Sequence, residues 1–509
     1  MNGNGFGIGE SDGRADVDTP SPEFTAMVDR WELIDTLLGG TPAMRAAGRK
    51  YLPQEPKEDD ETYRVRVARA ILFAGYEDAV ERVTAKPFSK PITIENEEAL
   101  PGRTKAIPDN SDMTGRDITQ LSRDVFADAI NHGLTHLVVD FDENGAGDAG
   151  EERARGLHPY FTHVKARQLF AWKWKRVDGR NELSQVRISE SRSEEVGNYG
   201  EIRVPHVRVI NAPVRVENED GSIVESPGTW ELHRRDPKTG DFELVNSGMY
   251  TFPQIPIVTF YTERTGFMTA RPPLEKLAWA NLAHWQSYAD QRHLLRFARF
   301  AILFLSGLSE EEMEKPISLG PAALFRSTNE KAKMAFVEHT GKGAEIGRMD
   351  LKEIEDWMEV LGMRPFTEST SSATATSRTI GEDGANADIK LWVRGLENFL
   401  NEAFKFAALW DGEEMPDGVR VRVFDDFAVG VRAAEDVKAI TALREKRIIT
   451  AVTAISELKR RGLLSDGVVP EEEAQAVLDE GPDLPTFGGG DDEDEDGDKD
   501  DGPVFDTGA

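Results

Sequence analysis

Apolar residues recur at helical spacing from Ala26 to about Ala85. Trp31, Leu33, Ile34, Leu37 and Leu38 run up to breaks at Gly39-Gly40 and Pro42, and a second amphipathic helix is predicted from Asp60. Residues 112–132 predict a further helix. At "HLVVDF" (136–141) the pattern changes to a β-branched, strand-like composition, and strands are predicted to dominate as far as Thr262. "APVRVENEDGSIVES" sets Asp220-Gly221 between alternating flanks, the signal of a tight hairpin. "WELHRRDPKTGDFELV" repeats that design with a longer turn, and "QIPIVTFYT" reads as a buried strand. The first 262 residues therefore read as one α+β body.

Pro272-Pro273 then open a long helix, because proline is tolerated in a first turn. Leu274, Ala278, Asn281, Trp285, Tyr288, Arg292 and Leu295 alternate spacings of four and three along it, the seam of a helix packed lengthwise. Residues 301–348 read as a small α/β insertion: strand "AILFL", a short helix opened by the Ser309…Glu312 capping box, then strands at "AALFR" and "KMAFVEH". Asp350 with Glu353 predicts an N-cap for a helix that ends near Gly362 and Pro365. The run "TESTSSATATSRTIG" (367–381) reads as loop, and Trp392, Leu396, Phe399, Ala403, Phe406 and Trp410 mark a long helix from about Asn386. A strand "VRVRVF" and helices near 435–446, 450–461 and 470–479 complete the pattern. Residues 1–24 and the tail "GGGDDEDEDGDKDDG" are too polar to bury a core and are predicted to be disordered.

Composition narrows the function. The chain has 509 residues, 39% of them hydrophobic, which is enough for a sizeable core. Sixty-one basic against 92 acidic residues leave a net charge of −31, which argues against a protein that coats nucleic acid with a basic surface. The absence of cysteine excludes disulfides, thiolate nucleophiles and cysteine-ligated zinc. The N-terminal stretch has neither a basic nor an apolar signal region, and nowhere do 18 apolar residues run together, so neither secretion by signal peptide nor a membrane span is expected.

Three strings carry a resemblance: "LLGGTPAMRAAGRKYLP" (37–53), "LAHWQSYADQRHLLRFARFAILFLSG" (282–307) and "SSATATSRTIGEDGANADIKLW" (371–392). With the element order, they resemble tailed-bacteriophage portal proteins from about residue 24 to 480. The resemblance implies an α+β fold, mostly helical, with an antiparallel β-rich wing and a small α/β clip. In that scheme a disordered arm (1–24) precedes the wing (25–271), stem helix 1 (272–300), the clip (301–349) and stem helix 2 (350–363). A tunnel loop (364–381), a long wing helix and strand (382–432), a helical crown (433–480) and an acidic tail (481–509) follow.

It also implies a ring, usually a dodecamer, at the portal vertex of a virion capsid, made in the cytoplasm of the host bacterium. The implied partners are the large terminase subunit, the head-tail adaptor, the major capsid and scaffolding proteins, and double-stranded DNA held without sequence preference; no membrane and no cofactor are implied. Thr367, Ser369, Thr370, Ser371 and Ser372, with Thr374, Thr376, Ser377 and Arg378, would meet DNA in the channel. Glu310, Glu311, Glu314 and Lys315, with Arg326, Asn329 and Lys331, would meet motor and adaptor. Small hydroxyl side chains suit a channel, because each phosphate neutralised by a cation adds affinity and therefore friction.

Other chemistry has less to stand on. "DFDENGAGDAGE" satisfies a calcium-loop pattern through Asp140, Asp142, Asn144, Gly145 and Glu151, whose oxygens suit a hard cation. A strand precedes it where a helix should stand, so we read an acidic hairpin loop; a calcium-dependent binding or adhesion module is the alternative. No phosphate loop, nucleophile elbow or zinc helix occurs in the sequence, so no enzymatic activity is expected. His284 and His293 read as interface or surface residues. Arg292, Arg296 and Arg299 either face DNA in the channel or serve as helix-dipole partners and salt bridges to a neighbouring subunit, and we read most of them in the second way.

Overall fold

The computed structural model describes residues 16–140, 157–217, 223–299, 302–307, 329, 331–337, 342–362, 375–410, 412–427, 433–460, 463–464 and 467–480. The chain divides into two units, Met1–Phe427 and Ala428–Ala509. The first opens with helices α1 (Pro22–Leu38), α2 (Gly40–Ala47), α3 (Asp60–Arg69) and α4 (Gly75–Ala85). Gly39 and Gly40 part α1 from α2 as expected, whereas Pro42 lies in the first turn of α2, where its missing N–H costs nothing. Residues 16–24, expected to belong to a disordered arm, are held against the body, while 1–15 lie outside the described residues. Arg187 donates to the Asp16 and Val17 carbonyls at 3.2 and 3.0 Å, and Phe24 meets Trp31 edge-on at 5.7 Å. One aromatic anchor outweighs the polar residues around it.

Strand β1 (Thr93–Glu95) precedes α5 (Ile118–His132), which begins later than expected because Asp117, not Asp112, caps it through the Gln120 N–H at 2.7 Å. Gly133 ends α5 with φ +87° and leads directly into β2 (Leu134–Asp140). This strand lies between β3 (Tyr160–Val164) and β11 (Ile257–Tyr261), all antiparallel. Between those two come β4 (Leu169–Val177), β5 (Arg180–Val196), β6 (Gly200–Asn211), β7 (Val214–Glu217), β8 (Ile223–Ser226), β9 (Gly228–Arg235) and β10 (Phe242–Tyr250). They form a five-stranded sheet of order β10-β9-β6-β5-β4, with β7 and β8 paired separately. Both predicted strand pairs are present, β7 with β8 and β9 with β10, while the Asp220-Gly221 turn lies outside the described residues.

After the short pair β12 (Arg264–Gly266) and β13 (Thr269–Ala270), α6 runs over Glu275–Ala298. Leu274, Ala278, Asn281 and Trp285 of its predicted seam are buried, but Arg292 is exposed, so the seam leaves the core in its C-terminal half. Strands β14 (Ile302–Ser306) and β15 (Lys333–Val337) pair antiparallel. The next helix, α7 (Lys342–Leu361), begins two turns before the expected cap at Asp350. Asp350 instead accepts a hydrogen bond from Ser287 at 2.7 Å while the backbone winds on through it.

The long helix α8 is Ala375–Trp410, so residues 375–381, expected as loop, are helical. Gly381 and Gly384 each cost about 1 kcal/mol against alanine, yet the helix runs through both. From Ile389 onward α8 is the main beam of the core: Trp392, Leu396, Phe399, Ala403 and Phe406 are all buried. Phe399 packs on Phe260 at 5.7 Å and Phe404 on Phe161 at 5.4 Å, which ties α8 to the three-stranded sheet. Strand β16 (Arg420–Arg422) returns to pair with β1.

The second unit holds α9 (Ala433–Glu445), α10 (Ala451–Arg460) and α11 (Pro470–Glu480), close to the three predicted helices. Thr450 caps α10 by accepting from the Thr453 N–H at 3.1 Å. Lys459 donates to the Val468 carbonyl at 2.7 Å, beyond the end of its own helix. Among the described residues no helix is long and apolar enough to cross a membrane.

Candidate functional site

Helices α3, α6 and α7 form a layer in which α6 is the middle member. Arg66 of α3, almost fully buried, donates to Glu58 at 2.7 Å and to Asp290 of α6 at 3.0 Å. On its other side α6 meets α7 antiparallel: Gln291 donates to the Ala344 carbonyl, Ser287 to Asp350, and His284 approaches Glu355 at 3.3 Å. Gly347 permits this contact, since a Cβ there would stand 2.1 Å from the Gln291 side-chain oxygen. His284 is buried between Phe73 and Tyr288, not a surface residue, and burial holds its pKa below the usual histidine value despite Glu355.

The C-terminal half of α6 has a different character. Arg292, Arg296 and Arg299, with Arg69 of α3, surround Leu295 in a cleft of about 320 Å³. All four arginines are exposed, and none pairs with a carboxylate among the described residues.

Beyond α6, residues predicted for the insertion divide. Asn329 and Lys331 belong to a turn before β15: the Asn329 side-chain amide donates to the Gly307 carbonyl at 2.6 Å, and the Lys331 N–H donates to Asn329 at 2.9 Å. Glu310, Glu311, Glu314, Lys315 and Arg326 lie outside the described residues, as do the strand at "AALFR" and the helix expected after Ser309. Of the predicted channel segment, Thr367, Ser369, Thr370, Ser371, Ser372 and Thr374 also lie outside them. Thr376, Ser377 and Arg378 were expected in a loop and are instead in the first turn of α8.

The calcium pattern fares differently. Asp140 is held by Arg208 at 2.6 Å, while Asp142, Asn144 and Glu151 lie outside the described residues. No cluster of three or more metal-ligating side chains gathers among the described residues.

A polar cleft of about 740 Å³ at the junction of α1, α5 and β3 went unforeseen. His132, the last residue of α5, places Nδ1 2.9 Å from Asp128 and Nε2 2.9 Å from Asp35, which Arg167 also contacts. Both ring nitrogens face carboxylate oxygens, so both must donate and the ring is an imidazolium. Burial opposes that charge, but Asp128 and Asp35 outweigh it and lift the pKa to about 9. Burial likewise opposes ionisation of Asp128, yet His132 and His163 hold its carboxyl well below the usual range. Neither ring nitrogen has a free lone pair, so the constellation is a structural charge knot and not a general base. Asp128 and His132 stand at helical i,i+4 spacing in the sequence; Asp35 and Arg167 arrive only through the fold.

Residues 273–411, which span α6, the β14–β15 pair, α7 and α8, match a family described as a Domain of unknown function (DUF4055). No curated protein matches the chain. Among solved structures it is similar to a chain in the "neck of empty GTA particle computed with C6 symmetry", with TM-score 0.41 and 11% identity over 76% of this chain and 90% of that one. It is also similar to chains in the "virion of native gene transfer agent (GTA) particle" (TM-score 0.37, 12% identity) and the "neck of native GTA particle computed with C12 symmetry" (TM-score 0.37, 13% identity). Each of these matches covers 87% of this chain and 98% of that one.

Proposed function

We propose that this chain is the portal subunit of a tailed phage or phage-like particle. It forms a ring at one capsid vertex, conducts double-stranded DNA during packaging and ejection, and docks the terminase and later the tail adaptor, without catalysing a reaction. The observation that carries this reading is the antiparallel α6–α7 pair. Between its two helices stands the β14–β15 ladder, and the 36-residue helix α8 follows it. That is the order stem, clip, stem and long helix, with the hydroxyl-rich residues 367–374 between the second stem helix and α8. A net charge of −31 per subunit, repeated around a ring, repels phosphate and keeps passing DNA from sticking. Helices α9 to α11 would be the crown.

End-on electron microscopy of the purified chain tests this. A closed ring, twelvefold in the expected case, with a central hole supports the reading; a chain that stays monomeric at micromolar concentration ends it. The competing reading, a calcium-dependent binding module, would have to take Asp140 from its ion pair with Arg208.

A further inference from the structure

The layer α3–α6–α7 presents two surfaces that the described residues of its own chain do not cover. The first is the arginine cleft. Four guanidiniums converge on it without a carboxylate among the described residues, in a chain with 31 more negative than positive charges. Converging like charges raise the energy until an anion enters.

The second surface is on α7. Its side toward α6 carries Ala344, Gly347, Asp350, Glu355 and the buried Met358. About half a turn round, Ile346, Met349, Trp357 and Val360 are exposed by 67%, 55%, 53% and 78%. Glu353 sits in the middle of this row, exposed and without an ion pair among the described residues. Spacings of three, four, four and three make the row a continuous seam, not a scatter of surface residues.

We propose that α7 of one copy of this chain lays its Ile346–Val360 seam against the arginine cleft of the next copy, with the Glu353 carboxylate between Arg292 and Arg296. One occupant then answers both surfaces, because α7 is apolar along the seam and carries six acids to three bases. A nucleic acid would satisfy the arginines and leave Trp357 and Val360 in water. A symmetric pairing of α7 with α7 would bring Glu353 against Glu353 and leave the arginines unmet. The contact is therefore head-to-tail, and each copy offers one seam and one cleft until the ring closes. This rests on the ring reading and specifies which faces meet.

The chain has no cysteine, so Arg296→Cys with Glu353→Cys introduces its only thiols. Oxidation of that purified full-length variant is expected to yield a ladder of covalent multimers on a non-reducing gel, while either single variant stays monomeric. A second pair, Arg292→Cys with Trp357→Cys, covers an unfavourable thiol geometry in the first. Arg292→Glu with Arg296→Glu is expected to abolish rings while circular dichroism shows the fold retained, and adding Glu353→Arg is expected to restore them. Intact rings in the arginine-reversed chain, or rings of both cysteine pairs that give no ladder, overturn the proposed contact and leave the ring reading standing. Rings that persist in the reversed chain while its affinity for a short DNA duplex falls would assign the arginines to phosphate instead. A wild-type chain that forms no ring overturns both.

Discussion

Replacing His132 by glutamine removes the cation held between Asp128 and Asp35 and puts a neutral amide of similar reach in its place. The folded-state pKa of about 9 against 6.5 for a free imidazole corresponds to about 3 kcal/mol of stabilisation. The sign follows from a raised pKa: this contribution is complete below about pH 6.5 and disappears as pH rises through 9, with about 2 kcal/mol going between pH 7 and 9. Asp128 gives the opposite limb. Its depressed pKa adds stability above the usual carboxylate range that is lost on acidification, and because the two groups titrate as a pair their coupling counts once. His132→Gln leaves the buried Asp128 charge without its main counter-ion, a loss of about 3–5 kcal/mol. Hydrogen exchange read by mass spectrometry on the peptide covering α5 isolates this region from the second unit. Wild-type protection, corrected for intrinsic exchange, is expected to fall between pH 7 and 9, and that of the variant to be lower but flat. Equal pH slopes in the two proteins would refute the reasoning.

Gly133→Ala strains a backbone at φ +87° and sets a Cβ 2.4 Å from the Arg271 carbonyl, so a loss of about 2–4 kcal/mol is expected by urea titration. Phe399→Ala, which empties the contact between α8 and Phe260, is expected to cost about 3–5 kcal/mol in the same assay. Glutamate at Thr370, Ser371, Ser372 and Thr374 is expected to leave rings intact and shorten packaged DNA, measured by gel sizing of particle contents; full-length DNA would count against a channel role. Calcium titrated calorimetrically into the full chain is expected to give no binding heat at millimolar ion, since Asp140 is engaged by Arg208.

The elements with strong periodicity were legible from the sequence. The aromatic row of α8 and the Asp-Gly hairpin each rest on side chains within one element, and local pattern suffices for those. What pattern misjudged were boundaries set by distant partners. Asp350 looks like a cap until Ser287 is seen to occupy it. His284 could not be separated from a surface histidine, because its burial depends on Phe73 from another helix. The arginine row on α6 was visible as a row, but its convergence with Arg69 needed the fold.

At 1.5 Å per residue, α8 is about 54 Å long over its 36 residues. The buried Ile389 stands about 21 Å along from Ala375. A rod clamped along its C-terminal part converts a sideways push ahead of the clamp into torque at the clamp. Phe399 and Phe404 receive that torque and pass it to β11 and β3. A sideways load applied to α8 ahead of Ile389 would thereby be read out in the three-stranded sheet, as a balance arm reports a weight at its fulcrum.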